Sequence, residues 1–322
     1  SVYSDMQRIW DMYHTKAHIN LIVCGSIFSM MTKIFKDKKE PLYNRQTRFM
    51  SIKPFTPAVL KEIMAEYNPN YTSEDLLALY SFTGGVAKYV QLLVDAGATT
   101  KTKMLNHIIK ADSVFLGEGK AILIEEFGKD YGVYFSILSA IARGKTLRSE
   151  IEQIVGREIG GYLTKLEKEY EVITKNQPIF EKSSTKNVRY TIEDNFFTFW
   201  FRFIYKYNYM LEIENYDAVK TIINRDYETF SGKMLERYFK RVLMESKAYT
   251  RIGSWWDRKG ENEIDIVAEN ELNEEATFIE VKRKEDNFDA IALNEKVDIF
   301  TRATGKFKDY TVSQKGLSMT DM

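Results

Sequence analysis

The stretches NEIDIV at Asn262–Val267 and FIEVK at Phe278–Lys282 decide how the C-terminal region of this chain is expected to fold. Each is a short apolar run interrupted by charged residues, which is typical of a β-strand. Because successive side chains of a strand point to opposite faces, Glu280 and Lys282 share one face of their strand. Asp265 projects from the other predicted strand. If the two strands are neighbours, a pair of carboxylates faces a lysine.

This set of side chains suits a divalent metal ion. Carboxylate oxygens of Asp265 and Glu280 are ligands that Mg²⁺ and Mn²⁺ prefer, and the ammonium of Lys282 could orient or activate an attacking water. Upstream, residues 230–245 carry apolar side chains at helical spacing, and Glu236 lies on that predicted helix as a fourth member. The pattern predicts a metal-dependent phosphodiesterase site. The alternative is an exposed pair of opposite charges that only solvates a sheet face.

Length, composition and charge narrow the classes of protein. The chain has 322 residues and 44% hydrophobic content, enough for two or three domains with sizeable cores. Its 46 Lys and Arg residues balance 46 Asp and Glu residues, so any nucleic-acid surface must be local. The single cysteine, Cys24, excludes an internal disulfide and favours a reducing, cytoplasmic setting. No apolar run approaches the roughly 18–20 residues that cross a bilayer, so we expect no membrane partner.

Apolar runs elsewhere predict further elements. Asn20–Ser26 is interpreted as a buried strand that ends in a small polar turn, and residues 49–55 as a second short strand. Residues 56–110 are interpreted as helices with caps at their starts. The aromatic segment at 194–205 is expected to be buried between domains.

Residues 118–195 have the pattern of three helices followed by a two-stranded wing, which predicts a winged helix-turn-helix. Glutamates are interleaved with the cations of this region, which argues against strong DNA binding. Two interpretations therefore stay open, a DNA-binding module and a packing module between domains. In the first, the cations that would face nucleic acid are Lys165, Lys168, Lys182, Lys186 and Arg189.

In this order the motifs resemble the prokaryotic archaeal-type ATPases, AAA+/STAND-like proteins that end in domain of unknown function 234 (DUF234). The C-terminal motifs also resemble the PD-(D/E)xK nuclease-like fold. There Asp265 and Glu280 match the metal-binding positions, Lys282 the lysine and Glu236 the helical acid. The first resemblance rests on Cys24-Gly25-Ser26, Pro41–Arg45, Lys53-Pro54-Phe55, Thr83-Gly84-Gly85, the winged helix, Tyr190–Asp194, Phe199–Phe203 and the acid-lysine motif.

The resemblance implies a mixed α and α/β multidomain fold. Its parts are an ATPase core remnant with a helical lid, a winged helix and a C-terminal α/β restriction-endonuclease-like domain. The implied boundaries are 1–55 for the remnant of the P-loop ATPase core, 56–117 for the helical lid, 118–195 for the winged helix, 196–229 for a helical connector and 230–322 for the PD-(D/E)xK nuclease-like domain.

The resemblance also implies part of a nucleotide site. Ser26 matches the residue that senses the terminal phosphate, Arg45 a nucleotide- or neighbour-sensing arginine, and Gly84 and Gly85 the turn of the lid. Ala87 departs from the family, which usually carries proline there. No Gly-x-x-x-x-Gly-Lys-Ser/Thr string occurs to cradle phosphates, so we expect roughly 150 residues of an N-terminal domain to be missing. The full-length parent is expected to bind ATP and to form a homo-oligomer, and this chain not to hydrolyse ATP.

The function implied is that of the C-terminal part of an ATP-binding ATPase. Its winged helix and nuclease-like domain would bind or act on nucleic acid, with Mg²⁺ or Mn²⁺ as the cofactor of a nuclease site. DNA is the expected partner. Because the nuclease-like fold is also used for binding alone, the alternative is a non-catalytic DNA- or protein-binding regulatory module.

Overall fold

A computed structural model describes residues 1–18, 20–25, 28–182 and 184–322. The N-terminal helices are α1 (Val2–Tyr13) and α2 (Phe28–Lys36). The strand expected from residue 20 is wrong over the described residues 20–25, which are exposed and have no regular secondary structure. The second expected strand, at 49–55, is wrong as well. An apolar run forms a buried strand only beside partner strands. All strands of the described residues lie after residue 170, and none of them pairs with these two segments.

A bundle of helices follows and is centred on one buried helix. α4 buries every residue from Asp75 to Thr83. It begins with a capping box between Thr72 and Asp75 and ends at Gly84, whose φ of 61° is left-handed. The helices of this bundle are α3 (Pro57–Tyr67), α4 (Ser73–Thr83), α5 (Ala87–Asp95), α6 (Lys101–Ile108) and α7 (Val114–Phe127), with a 3-10 turn at Gly128–Asp130.

The helices and strands expected between 118 and 195 are present. The two strands pair antiparallel, with Ile173 opposite Ile192. A buried glycine, Gly119, lets α7 pack directly on the ring of Trp200. The elements are α8 (Tyr131–Ala142), α9 (Arg148–Val155), α10 (Gly160–Lys168), β1 (Ile173–Asn176) and β2 (Arg189–Ile192).

The aromatic segment is buried, as predicted, and it packs on two other parts of the molecule. Phe199 packs on Phe82 of α4 with ring centroids 4.7 Å apart. Phe201 packs on Phe135 of α8 at 5.3 Å. The segment comprises α11 (Asn195–Phe199), a π-helix (Trp200–Tyr205) and α12 (Asn208–Glu212).

The C-terminal region is a four-stranded sheet between two helices. Neighbouring strands are antiparallel except β5 and β6, which run parallel and are joined by the crossover helix α14. α13 runs unbroken for 31 residues through residue 230, so the expected connector and the expected nuclease-like domain share one helix. The elements are α13 (Tyr216–Ser246), β3 (Arg251–Trp256), β4 (Glu263–Asn270), β5 (Glu275–Val281), α14 (Ala290–Thr304) and β6 (Thr311–Leu317), in the sheet order β3-β4-β5-β6.

Two hydrophobic cores cover the two faces of this sheet. Ile266, Ile279 and Val281 belong to the core that continues through α13 into the helical bundle. Phe278 and Phe300 belong to a second core, formed with α14. Within the described ranges, no helix has both the length and the apolar character that a bilayer crossing requires.

The contact between Gly119 and Trp200 gives a test of packing. A Cβ atom at Gly119 would lie 2.5 Å from the Trp200 ring. We expect Gly119→Ala to lower the free energy of unfolding by about 1–3 kcal/mol through overpacking, although alanine favours helix. Gly117→Ala in the same helix meets nothing within 4 Å and should be neutral or stabilising. Urea unfolding measures the free energy of unfolding of both variants. Equal effects of the two substitutions would contradict the close contact between Gly119 and Trp200.

Candidate functional site

The candidate site lies at the end of the sheet where β4 begins and β5 ends. Ile266 pairs with Ile279, and next to it the carboxylate of Asp265 accepts a hydrogen bond from the backbone N–H of Val281 at 2.8 Å. The register of β3 against β4 shifts between Gly253 and Trp255, beside this position. Such a bulge re-aims side chains locally. Asp265 is therefore held against the strand that carries Glu280.

Glu280 is the most enclosed carboxylate of the site, with 9% of its side chain exposed. One oxygen, Oε1, accepts from the ammonium of Lys282 at 2.7 Å and from that of Lys296 at 3.2 Å. The other oxygen, Oε2, is buried and has no hydrogen-bond partner among the described residues. Burial alone would raise the pKa of Glu280, but the two lysines lower it below its ordinary value. Glu280 is therefore ionised at neutral pH.

Glu236 approaches the same end of the sheet from α13. Both of its carboxylate oxygens bind the ammonium of Lys233, one turn earlier, at 2.9 and 3.1 Å. Burial raises the pKa of Glu236 to about 7, against the partly compensating charge of Lys233, and the charges of Asp265 and Glu263 raise it further. Glu236 therefore titrates near neutral pH.

The remaining charges belong to the same cluster. Burial raises the pKa of Asp265, although its backbone hydrogen bond and two lysines oppose the change. Burial would lower the pKa of Lys282, but Glu280, Asp265 and Glu236 raise it above its ordinary value. The charges of all three carboxylates thus act on Lys282. The structure brings together the four predicted side chains, Glu236, Asp265, Glu280 and Lys282.

The candidate site offers two carboxylates to a hard divalent cation. Across the residues that the structure describes, no three His, Cys, Asp or Glu side chains form a metal-binding group. Asp265 and Glu280 supply two carboxylates, and Oε2 of Glu280 is a buried acceptor that nothing in the described chain satisfies. Mg²⁺ and Mn²⁺ commonly take only one or two carboxylates and keep several waters. The donor set therefore fits either ion.

The residues predicted for nucleotide binding lie elsewhere. Ser26 falls outside the described residues. Arg45 forms a bidentate ion pair with Asp11 of α1 at 2.8 and 2.9 Å. Gly84 and Gly85 lie in tight backbone contacts, since an added Cβ atom would lie 3.2 Å from a carboxylate oxygen of Asp194 or 2.5 Å from the carbonyl oxygen of Phe55, respectively. Their structural role is close packing.

The cations predicted for nucleic acid divide into two groups. Arg189 is bound to the C-terminal sheet: its guanidinium donates to Glu263 at 2.9 Å and stacks over the Trp256 ring, 4.4 Å from the centroid. Asn187 accepts from the indole N–H of the same tryptophan at 2.9 Å. The remaining four, Lys165, Lys168, Lys182 and Lys186, are exposed.

Two lysines of the site do not appear among the residues predicted from sequence. Lys233 stands three residues before Glu236, a spacing that signals a neighbour on a helix surface. Lys296 lies on α14, sixteen residues after Glu280, and no local pattern links the two. Only the packing of α14 on the sheet brings that ammonium to the site.

Comparisons with known proteins identify the C-terminal region. Residues 200–311 match the model of DUF234, a family described as archaeal and bacterial proteins of unknown function, which confirms the expected DUF234 module. The chain is 33% identical over 300 residues to the uncharacterized protein MJECL04 of Methanocaldococcus jannaschii. The match covers 88% of this chain and 64% of the length of that relative. No solved structure matches the chain.

The elevated pKa of Glu236 predicts a dependence of stability on pH. Because the pKa of about 7 in the folded protein exceeds the ordinary 4.5, the ionised carboxylate destabilises the fold above pH 7, and this cost is lost as the pH falls toward 4.5. We expect Glu236→Gln to stabilise the protein at pH 8 by about 1–2 kcal/mol, and by much less at pH 5.

Urea unfolding at the two pH values measures this difference. Glu228→Gln, an exposed position of the same helix, is the control and should change the free energy of unfolding little at either pH. A Glu236→Gln variant less stable than the wild type at pH 8 would contradict the elevated pKa of Glu236.

Proposed function

We propose that the C-terminal region is a PD-(D/E)xK nuclease-like domain that binds Mg²⁺ or Mn²⁺ and hydrolyses phosphodiester bonds of nucleic acid. The observation that carries this proposal is the convergence of Asp265, Glu280, Lys282 and Glu236 at one end of the sheet. The order of a helix, three antiparallel strands, a crossover helix and a parallel strand supports it.

In the proposed reaction Asp265 and Glu280 would hold the cation, and Oε2 of Glu280, which is buried without a hydrogen-bond partner among the described residues, would be one of its ligands. When bound there, a divalent ion would supply positive charge to polarise the phosphate and to lower the pKa of a bound water. Lys296 and Lys282 fix the other oxygen of Glu280 and so orient its carboxylate. Nuclease sites commonly rely on such preorganised charges.

We assign different proton roles to Glu236 and Lys282. A pKa of about 7 lets Glu236 be ionised in part of the molecules at neutral pH and take a proton from an attacking water. The pKa of Lys282 is raised, so its ammonium stays protonated and stabilises the negative charge that develops on the phosphate. Lys282 therefore acts through its charge, and Glu236 is the proposed base.

The N-terminal two thirds of the chain would serve this domain in a larger protein. We propose that the full-length parent is an ATP-binding AAA+/STAND-like ATPase. In that protein Arg45 would sense the nucleotide or a neighbouring subunit, and Gly84 and Gly85 would form the turn of the lid. Residues 118–195 would act as a winged helix on DNA. Its exposed cations would make phosphate contacts, which position DNA without reading sequence; they are Lys165, Lys168, Lys182 and Lys186.

A second candidate function is a non-catalytic module that binds DNA or a protein partner. It is favoured by the pairing of Glu280 with two lysines, which already compensate its charge without a metal ion. In that case the cluster is a structural ion-pair network, and loss of one partner would leave a buried charge uncompensated. The two functions differ in whether Mn²⁺ binds.

Asp265→Ala tests the metal site. We expect this change to abolish Mn²⁺-dependent cleavage of DNA and to weaken Mn²⁺ binding by more than about 100-fold, since loss of even an outer-shell partner costs 10–100-fold. Calorimetric titration with Mn²⁺ and a cleavage assay on labelled oligonucleotides measure the two effects. Asp298→Ala, an exposed aspartate of α14, is the control and should retain both. Equal Mn²⁺ affinity in the two variants would reject Asp265 as a ligand.

Lys282→Met separates catalysis from a structural role. In the proposed enzyme the variant keeps Mn²⁺ binding, because Glu280 loses a competing cation, while the cleavage rate falls about 100-fold or more. In the ion-pair network the variant instead loses stability and no Mn²⁺ binds to either protein. Single-turnover cleavage at saturating Mn²⁺ together with thermal unfolding decides between them.

A further inference from the structure

Arg283, the residue directly after Lys282, joins the end of β5 to two helices. Its guanidinium donates one hydrogen bond to the hydroxyl of Ser231 on α13 and another to the carboxylate of Glu74 on α4, the latter at 2.6 Å. Only 17% of the side chain is exposed. A planar guanidinium with acceptors in two different elements is fixed in orientation as well as in position. The chain that leaves the site is therefore anchored at its first residue.

The partners of Arg283 are themselves held in place. The hydroxyl of Ser231 is buried and donates to the backbone carbonyl of Tyr227, one turn earlier on α13, at 2.6 Å. The ammonium of Lys101 approaches Glu74 at 3.3 Å, so two cations neutralise this carboxylate. Both cations also lie over the Tyr227 ring, 4.6 and 5.6 Å from its centroid. Each acceptor of the guanidinium is thus ordered by contacts of its own.

The bond from Arg283 to Ser231 differs from the other contacts of α13 with the C-terminal sheet. Among the residues that the structure describes, it is the one hydrogen bond between α13 and residues 251–322, and no ion pair joins these two segments. The helix otherwise meets the sheet through the hydrophobic core that includes Ile266 and Ile279. Apolar burial is non-directional. The hydrogen bond therefore defines where α13 stands along the sheet.

The position of α13 decides the geometry of the candidate site, because the site takes groups from both segments. Glu236 follows Ser231 by five residues on α13, about 7–8 Å along the helix axis. On the other segment, the backbone N–H of Lys282 donates to the carbonyl of Leu317 on β6 at 2.9 Å. The charges of Glu236 and Lys282 act on each other. A shift of α13 would move Glu236 and leave Lys282 with the sheet.

We propose that Arg283 is a positioning residue of the candidate site, which holds α13 and the end of β5 at the separation where Glu236 serves as the base. The proposal rests on the proposed function, because the role of Glu236 comes from it. Arg283 touches no reacting atom. A base must lie within hydrogen-bond reach of the water it deprotonates, and a misplacement of about 1 Å costs as much as 100-fold in rate. Loss of the bond to Ser231 therefore slows the chemical step and leaves binding unchanged.

Ser231→Ala is the sharpest test, because it removes the acceptor on α13 and keeps every charge, including the pair of Arg283 with Glu74. We expect the kcat of Mn²⁺-dependent oligonucleotide cleavage to fall about tenfold or more, with KM and the Kd of Mn²⁺ unchanged. The control is Thr221→Ala, an exposed position of the same helix whose hydroxyl donates one turn back, to the carbonyl of Asp217 at 2.8 Å. It should keep the wild-type kcat.

Two substitutions of Arg283 itself extend the test, and Ser231→Ala keeps it valid if they do not fold. Arg283→Gln should lower kcat further, whereas Arg283→Lys, whose ammonium lacks the planar fork, should restore part of the loss. Wild-type kcat in Ser231→Ala would overturn the proposal. A fall in kcat together with a raised KM and weaker Mn²⁺ binding would overturn it as well, since it indicates general loosening of the fold.

Amide hydrogen exchange, measured by NMR, keeps the test independent of cleavage. The N–H groups of Val281 and Lys282 donate to partners on β4 and β6 at 2.8 and 2.9 Å. We expect Ser231→Ala to speed their exchange about tenfold or more and to leave the amides in the middle of β5 as in the wild type. If the wild type cleaves no oligonucleotide, the nuclease is rejected. Faster exchange at these two amides then retains Arg283 as the residue that fixes the end of β5 on α13, and unchanged exchange rejects it.

Discussion

The burial of one apolar face of α13 is the constraint on which the rest of the structure depends. Phe230 packs on Phe203 of the aromatic segment, and Tyr238 packs on Tyr80 of the helical bundle. The same core includes Ile266 and Ile279 of the sheet. A helix of 31 residues is thus covered partly by the bundle and partly by the sheet. The position of Glu236 relative to β5 follows from that shared packing.

The charges of the site are arranged around this core and compensate one another incompletely. Glu280 has two cations on one oxygen and none on the other, while Glu236 has one cation and two neighbouring acids. Taking carboxylates out of water is costly unless each is paired. The cluster therefore holds one carboxylate firmly ionised and another close to its titration point. Such separation of pKa values is how a site assigns different proton roles to like groups.

Sequence patterns predict the parts of this arrangement that are local. Alternation along β5 places Glu280 and Lys282 on one face, helical spacing places Glu236 on a helix, and aromatic density marks the buried segment after Asp194. The contacts that depend on packing were not predictable. Lys296 reaches the site from α14, which packs on the face of the sheet that carries Glu280, and the bulge beside Asp265 depends on the pairing of β3 with β4. The strand expected from residue 20 is wrong because apolar character alone does not supply hydrogen-bond partners.

The contact of Arg189 of β2 with Glu263 of β4 connects the two-stranded sheet to the charges of the candidate site. Glu263 contributes to the elevated pKa of Glu236, and Arg189 partly neutralises Glu263 at 2.9 Å. Without Arg189 the charge of Glu263 would be less compensated, and the pKa of Glu236 would rise further. A residue of the two-stranded sheet thus contributes to the proton affinity of a carboxylate on α13.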